Sequence, residues 1–203
     1  MKKVILFSCM AAALFSMVSC GAPKKPEAPK PVSDTLTRDE YAVYRDIISA
    51  EFEGRGTTIV KEKTYAPHNE AGIDSKIRGQ MEETFGKQLK EGLIDGFMAV
   101  NKKPTVINQD ILGFKGATVL SAEAEKELFP SDQTYYEDFR SRYPSPARMV
   151  EFSRVAFDGK AEQAIAYFGK IFYSEKESAG YYVLLKKAKG KWVIDKRLAA
   201  WGK

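Results

Sequence analysis

Acyl transfer needs an activated nucleophile, and this 203-residue chain offers little to activate one. It has one histidine, His68, in the polar loop Ala66-Pro67-His68-Asn69-Glu70, and it contains neither a G-x-S-x-G elbow nor an S-x-x-K pair. A zinc site would have to be assembled from His68, Glu70 and Asp74, a spacing common in polar loops, so no metal is expected. Glycosidase chemistry needs two carboxyls facing each other across a cleft. Glu51 with Glu53, and Glu137 with Asp138, are the pairs that could supply them, but sequence spacing does not set a separation in space. Glu123, Glu125 and Glu127 alternate and point to different sides of a helix, where they favour its N-terminus. Gly54-x-Gly56 leads into a strand rather than a helix and therefore does not form a phosphate cradle. Taken together, these residues favour a protein that is not an enzyme without deciding the point, and no cofactor is expected.

The two cysteines, Cys9 and Cys20, are the other reactive groups, and their setting decides their chemistry. Met1-Lys2-Lys3 is cationic, Val4 to Val18 is apolar, and Ser19-Cys20-Gly21 closes the run. A membrane-spanning helix needs about 20 apolar residues, so this shorter stretch suits a cleaved export signal. Cys20 directly after the apolar run resembles the lipobox of bacterial lipoproteins, with Met17 where Leu is usual. The resemblance implies a diacylglyceryl thioether on Cys20, cleavage before it, and further acylation of its new amine. The chain would then be held to a membrane by several acyl chains, facing the extracytoplasmic side of the cell envelope. Residues 1–19 are the expected signal. Cys9 leaves with it, so no disulfide is expected in the folded part.

Net charge is +5, and loss of Lys2 and Lys3 with the signal leaves +3. That mild excess suits a protein near anionic lipid and, with export, argues against nucleic acid as a partner. Residues 20–36 continue as GAPKKPEAPKPVSDTL after the cysteine. Proline and lysine there favour an extended tether, which at about 3.1 Å per residue reaches up to ~50 Å.

The rest, 37–203, reads as a single domain. Thr37-Arg38-Asp39-Glu40 is a capping box, and Tyr41, Tyr44, Ile48 and Phe52 follow at helical spacing. Thr57 to Tyr65 has strand character. Apolar residues every fourth position from Ile73 to Phe97 drift around a helix by ~40° per step, which predicts two helices or a bend near Gly86 or Gly92. Gly116 to Leu120 predicts a strand, Ser121 caps a short acidic helix, and Tyr135, Tyr136, Phe139 and Tyr143 mark another.

The last third predicts four strands: Met149 to Phe157, Lys160 to Tyr173, Gly180 to Lys187 and Lys191 to Arg197. Asp158-Gly159 and Lys189-Gly190 are the expected two-residue turns. Helices first and strands last give an α+β class, with N-terminal helices packed on one face of a C-terminal antiparallel β-meander. The block Phe152 to Phe157, Gly180 to Lys187 and Gly190-Lys191-Trp192 resembles a segment of uncharacterised exported bacterial proteins, which implies a sheet and an extracytoplasmic home.

Two surface features remain. Lys186, Lys187, Lys189, Lys191, Lys196 and Arg197 would either bind an anionic envelope polymer or protect a sheet edge. Tyr135, Tyr136, Tyr143, Tyr181 and Tyr182 would either form a stacking platform for a glycan or partner protein, or pack as core. The resulting expectation is a membrane-anchored envelope lipoprotein acting as a non-enzymatic binding module, with Tyr135, Tyr136, Tyr181, Tyr182, Lys186 and Lys187 as its binding residues. The alternative is an envelope glycan or peptidoglycan hydrolase working through carboxylates.

Overall fold

The computed structural model describes residues 33–54, 56–66, 75–130, 139, 141–143, 147–171 and 178–202. Cys20, His68, Glu70, Asp74, Tyr135, Tyr136, Glu137 and Asp138 lie outside them. The described chain is α+β, and it forms a seven-stranded mixed sheet with helices on both faces.

Thr37 starts α1 (Arg38–Phe52) through the expected capping box. Its hydroxyl accepts from the Glu40 amide at 3.2 Å, and the Glu40 carboxylate accepts from the Thr37 amide at 2.8 Å. The long apolar run divides as predicted into α2 (Ser75–Phe85) and α3 (Leu93–Val100), joined by a 3₁₀ turn. Gly86 and Gly92 both take positive φ at that junction, which glycine adopts without steric cost. Short helices α4 (Gln109–Leu112) and α5 (Ala122–Leu128) follow, capped by Asn108 and Ser121.

The strands are β1 (Thr57–Lys61), β2 (Ala117–Leu120), β3 (Ala147–Phe152), β4 (Ala156–Phe157), β5 (Gln163–Ile171), β6 (Ala179–Ala188) and β7 (Lys191–Gly202). Their order is β2-β1-β3-β5-β6-β7, with β4 also paired to β5. β1 runs parallel to both β2 and β3, and the remaining pairs are antiparallel. The C-terminal meander is therefore extended on one side by two parallel strands.

β5 is an inner strand, and its side chains are apolar on both faces. Ala164, Ala166 and Phe168 pack under α1 with Tyr44, Ile47 and Phe152. Ile165 and Tyr167 face the other way, against Met81 and Phe85 of α2 and Leu93, Ile94 and Phe97 of α3. Helices covering one face only would have left this second apolar row to water; α2 and α3 cover it instead. A third cluster on that same face, Ile59, Leu120, Leu128, Phe139 and Met149, lies over β1, β2 and β3.

Three local expectations change. The strand expected from Met149 to Phe157 is broken by a bulge: Ser153, Arg154 and Val155 oppose only Tyr167 and Ala166 of β5. The extra residue turns both Arg154 and Val155 toward α1. Asp158-Gly159 is not a two-residue turn. The Asp158 carboxylate accepts from the amides of Glu162 (2.7 Å) and Gln163 (2.9 Å), which stabilises a longer loop whose positive φ falls on Ala161. Lys189-Gly190 does form the tight turn, with positive φ at both residues. Finally, strict alternation along the strand expected from Lys191 to Arg197 would put Arg197 on the face opposite Trp192 and Ile194, but a bulge at Asp195 in β7 pairs Arg197 with Val183 and brings it to their face.

Both sheet edges are blunted. The Gln109 side chain accepts from the Val119 amide and donates to the Ala117 carbonyl of β2, as a neighbouring strand would. On β7, Asp46 accepts from the Trp192 amide at 2.7 Å, and two bulges interrupt the register.

Candidate binding site

One row of residues crosses four strands on the face that α2 and α3 cover: Glu151, Gly169, Gly180 and Trp201 are successive register partners on β3, β5, β6 and β7. The two glycines leave a trough in the sheet between two large side chains. A Cβ on Gly169 would stand 2.8 Å from the Glu151 carboxylate and 2.9 Å from the Tyr167 hydroxyl. A Cβ on Gly180 would collide with the Trp201 indole, 2.7 Å from Cε2 and 2.8 Å from Cδ1. The indole thus lies directly on the sheet backbone, an arrangement that a glycine inside a strand permits.

A chain of polar contacts runs through the trough. Trp201 Nε1 donates to Tyr167 Oη at 2.9 Å, and Tyr167 Oη donates to Glu151 Oε1 at 2.8 Å. Glu151 Oε2 faces Lys61 Nζ at 3.7 Å, and Lys61 is held at 2.8 Å by Glu125. The Tyr65 ring packs on the Tyr167 ring with centroids 4.7 Å apart. Burial pushes the Tyr167 phenol far above its ordinary range, and the Glu151 charge adds to the effect, so Tyr167 is a fixed neutral donor. Burial, assisted by Glu151, also raises Tyr65, and burial pushes Tyr182 up to about 12. The seam lies between the cluster under α2 and α3 and the cluster under α5. Its rim is open: Tyr65 is 38% exposed and Trp201 40%.

The anticipated binding residues are dispersed. Tyr181 and Tyr182 are strand neighbours and project to opposite faces. Tyr182 is buried under α3, with its ring edge-on to Phe97. Tyr181 packs on Phe168 below the cations of Lys170 and Arg197. Lys186 pairs with Asp195 at 2.9 Å, whereas Lys187 stands over the Trp192 ring on the other face. Lys196 Nζ donates to the Thr84 carbonyl at 3.0 Å. The basic residues of the last hairpin therefore serve two faces and several partners. Tyr135 and Tyr136 lie outside the described residues.

Among the carboxylates, Glu51 is bound by Lys170 and Arg197, and Glu53 accepts from the Ser49 hydroxyl at 2.6 Å. Lys61 bridges Glu125 and Glu151, and Arg78 bridges Glu82 and Asp95. Among the described residues, no group of three or more His, Cys, Asp or Glu side chains is placed to hold a metal ion. A cavity of about 300 Å³ at the end of α1 is lined by Phe52, Glu53, Gly54, Thr58, Phe114 and Lys115, so among the described residues it holds one carboxylate and not the facing pair that glycosidase chemistry needs.

A second polar cluster is buried and fastens the chain entering the domain. Arg154 Nε and Nη2 donate to Glu40 Oε1 (3.1 Å) and Oε2 (3.0 Å). Its remaining donors reach the carbonyls of Ser33 and Thr35. Asn101 accepts from the Arg154 amide and donates to its carbonyl, and Glu40 also accepts from the Val155 amide. Leu36 packs against the α1 core, and Lys103 pairs with Asp34 at 2.7 Å. The last residues before the capping box are thus held by the domain.

No family model, curated protein or solved structure matches this chain. The reading of the site rests on its geometry.

Proposed function

We propose that the protein is a lipid-anchored module of the bacterial cell envelope that binds its ligand and does not transform it. The observation that carries the binding reading is the Glu151–Gly169–Gly180–Trp201 row. Its Trp201 ring and the neighbouring Tyr65 ring, both half-exposed, flank a fixed tyrosine hydroxyl and a carboxylate. Catalysis by carboxylates needs one group as acid and the other with room for water or a sugar carbon between them. Here a lysine ammonium fills the space between Glu125 and Glu151, an arrangement suited to rigidity.

The anchor rests on the sequence alone, on Cys20 after the apolar run of the signal. The Arg154 clasp fits such an attachment, because it ties the segment after the proline-rich stretch to the bulge in the sheet. Metabolic labelling with a radioactive fatty acid tests the anchor. The wild-type protein should incorporate label, and Cys20→Ser should incorporate none and retain its signal. Equal labelling of the two proteins would overturn the assignment.

A further inference from the structure

We infer that the outer face of the Trp201 indole, with the Glu151 carboxylate beside it, forms a subsite for one uncharged pyranose ring of a glycan. The inference rests on the binding reading above and names its ligand class. One face of the indole is laid on Gly180, and its N–H is consumed by Tyr167, so the ring is fixed in orientation before any ligand arrives. Trp201 nevertheless keeps 40% of its surface exposed. A flat, electron-rich face held rigid suits the C–H face of a sugar, which carries partial positive charge, and little ordering entropy is lost on contact.

The polar partner lies within a ring's span. Two hydrogen bonds, of 2.9 and 2.8 Å, separate the indole nitrogen from Glu151 Oε1. Glu151 Oε1 already accepts from Tyr167, whereas among the described residues Oε2 meets only Lys61, at 3.7 Å, beyond hydrogen-bond length, and the side chain keeps 13% exposure. Oε2 can therefore accept from a sugar hydroxyl. The charge of the seam selects the sugar. Glu125 and Glu151 outnumber Lys61, so a polyanion is repelled and a neutral ring is accepted. Tyr65, stacked on Tyr167, adds a second half-exposed ring for the neighbouring sugar of a chain.

The two tryptophans of the chain make the test direct, because Trp192 is 5% exposed and Trp201 40%. Acrylamide quenching of the full-length protein therefore reports Trp201. An uncharged N-acetylglucosamine tetramer should protect it saturably, and dextran sulfate should not. Gly180→Ala, which displaces the indole, should weaken protection about tenfold. Glu151→Gln, nearly isosteric, should weaken it with the circular dichroism spectrum unchanged. Absence of protection by this tetramer and by maltotetraose in the wild type would overturn the inference. If the same protein still cosedimented with purified peptidoglycan, and Trp201→Ala abolished that, the seam would bind a different wall component and only the sugar assignment would fall. If cosedimentation failed as well, the binding reading would fall with it.

Discussion

Glu51 shows how a single side chain ties the two ends of the domain together. It sits in the last turn of α1 and receives Lys170 from β5 at 3.0 Å and Arg197 from β7. Burial alone would raise its carboxyl, but the hydrogen bonds from Arg197 and Lys170 outweigh that and hold it below the ordinary 4.5. A carboxyl depressed in the folded state adds stability that is fully present above its unfolded pKa and is lost as pH falls through the folded one. Glu51→Gln should therefore lower stability at neutral pH by about 1 kcal/mol, a modest amount because solvent screens the cluster. The gap between wild type and mutant in urea denaturation should close as pH falls below 4.5. A gap that stayed constant with pH would show that the loss is packing and not charge. In the sequence Glu51 stands out only as half of a carboxylate pair with Glu53, because the cations that neutralise it arrive from strands more than a hundred residues away.

At the scale of elements, β5 and the clasp carry the sharpest expectations. Ile165 is fully buried between β4 and β6 beneath α2 and α3. Ile165→Asp should unfold the domain, at a cost above about 4 kcal/mol, because it buries an unpaired charge. Lys189→Asp, in the tight turn at positive φ, should change stability by only a few tenths of a kcal/mol, since aspartate tolerates that backbone region. Chemical denaturation of the two variants compares them directly. The clasp predicts a difference between two truncations. A chain beginning at Pro31 keeps the carbonyls that Arg154 donates to, and a chain beginning at Thr37 loses both. The shorter chain should be less stable by about 1–3 kcal/mol, the cost of a buried guanidinium left short of acceptors. Equal denaturation midpoints would mean that water replaces the carbonyls without loss.

For the molecule as a whole, packing supplies the core. No cysteine follows Cys20, and among the described residues there is no metal-ligand cluster. Two helical layers over a seven-stranded sheet supply the core instead. A chain beginning at Pro31 should unfold in one cooperative transition. Neither a chelator nor a reducing agent should move its melting temperature by more than a degree or so. A fall of several degrees with chelator would reveal a structural metal site. Among the described residues, no helix is long and apolar enough to cross a membrane.

Much of the fold was legible in the chain because its signals are local. The capping box at Thr37, the breaks at Gly86 and Gly92, the Lys189-Gly190 turn and the two-sided apolar alternation of β5 each depend on residues within a few positions of one another. The proposed signal and the Cys20 anchor likewise rest on neighbouring residues. Register and bulges are not local. Which face Arg197 takes depends on one extra residue at Asp195, and which way Arg154 points depends on three residues opposing two. Gly169 and Gly180 stood in the sequence as breaks in two apolar strands, a sign of close approach. Their meaning needed the register that sets Glu151, Gly169, Gly180 and Trp201 in one row. The sequence by itself determined the α+β class and most of the helices and strands. Tertiary structure alone decided which distant side chains share a face, because a one-residue shift in strand pairing moves a side chain from one face of the sheet to the other.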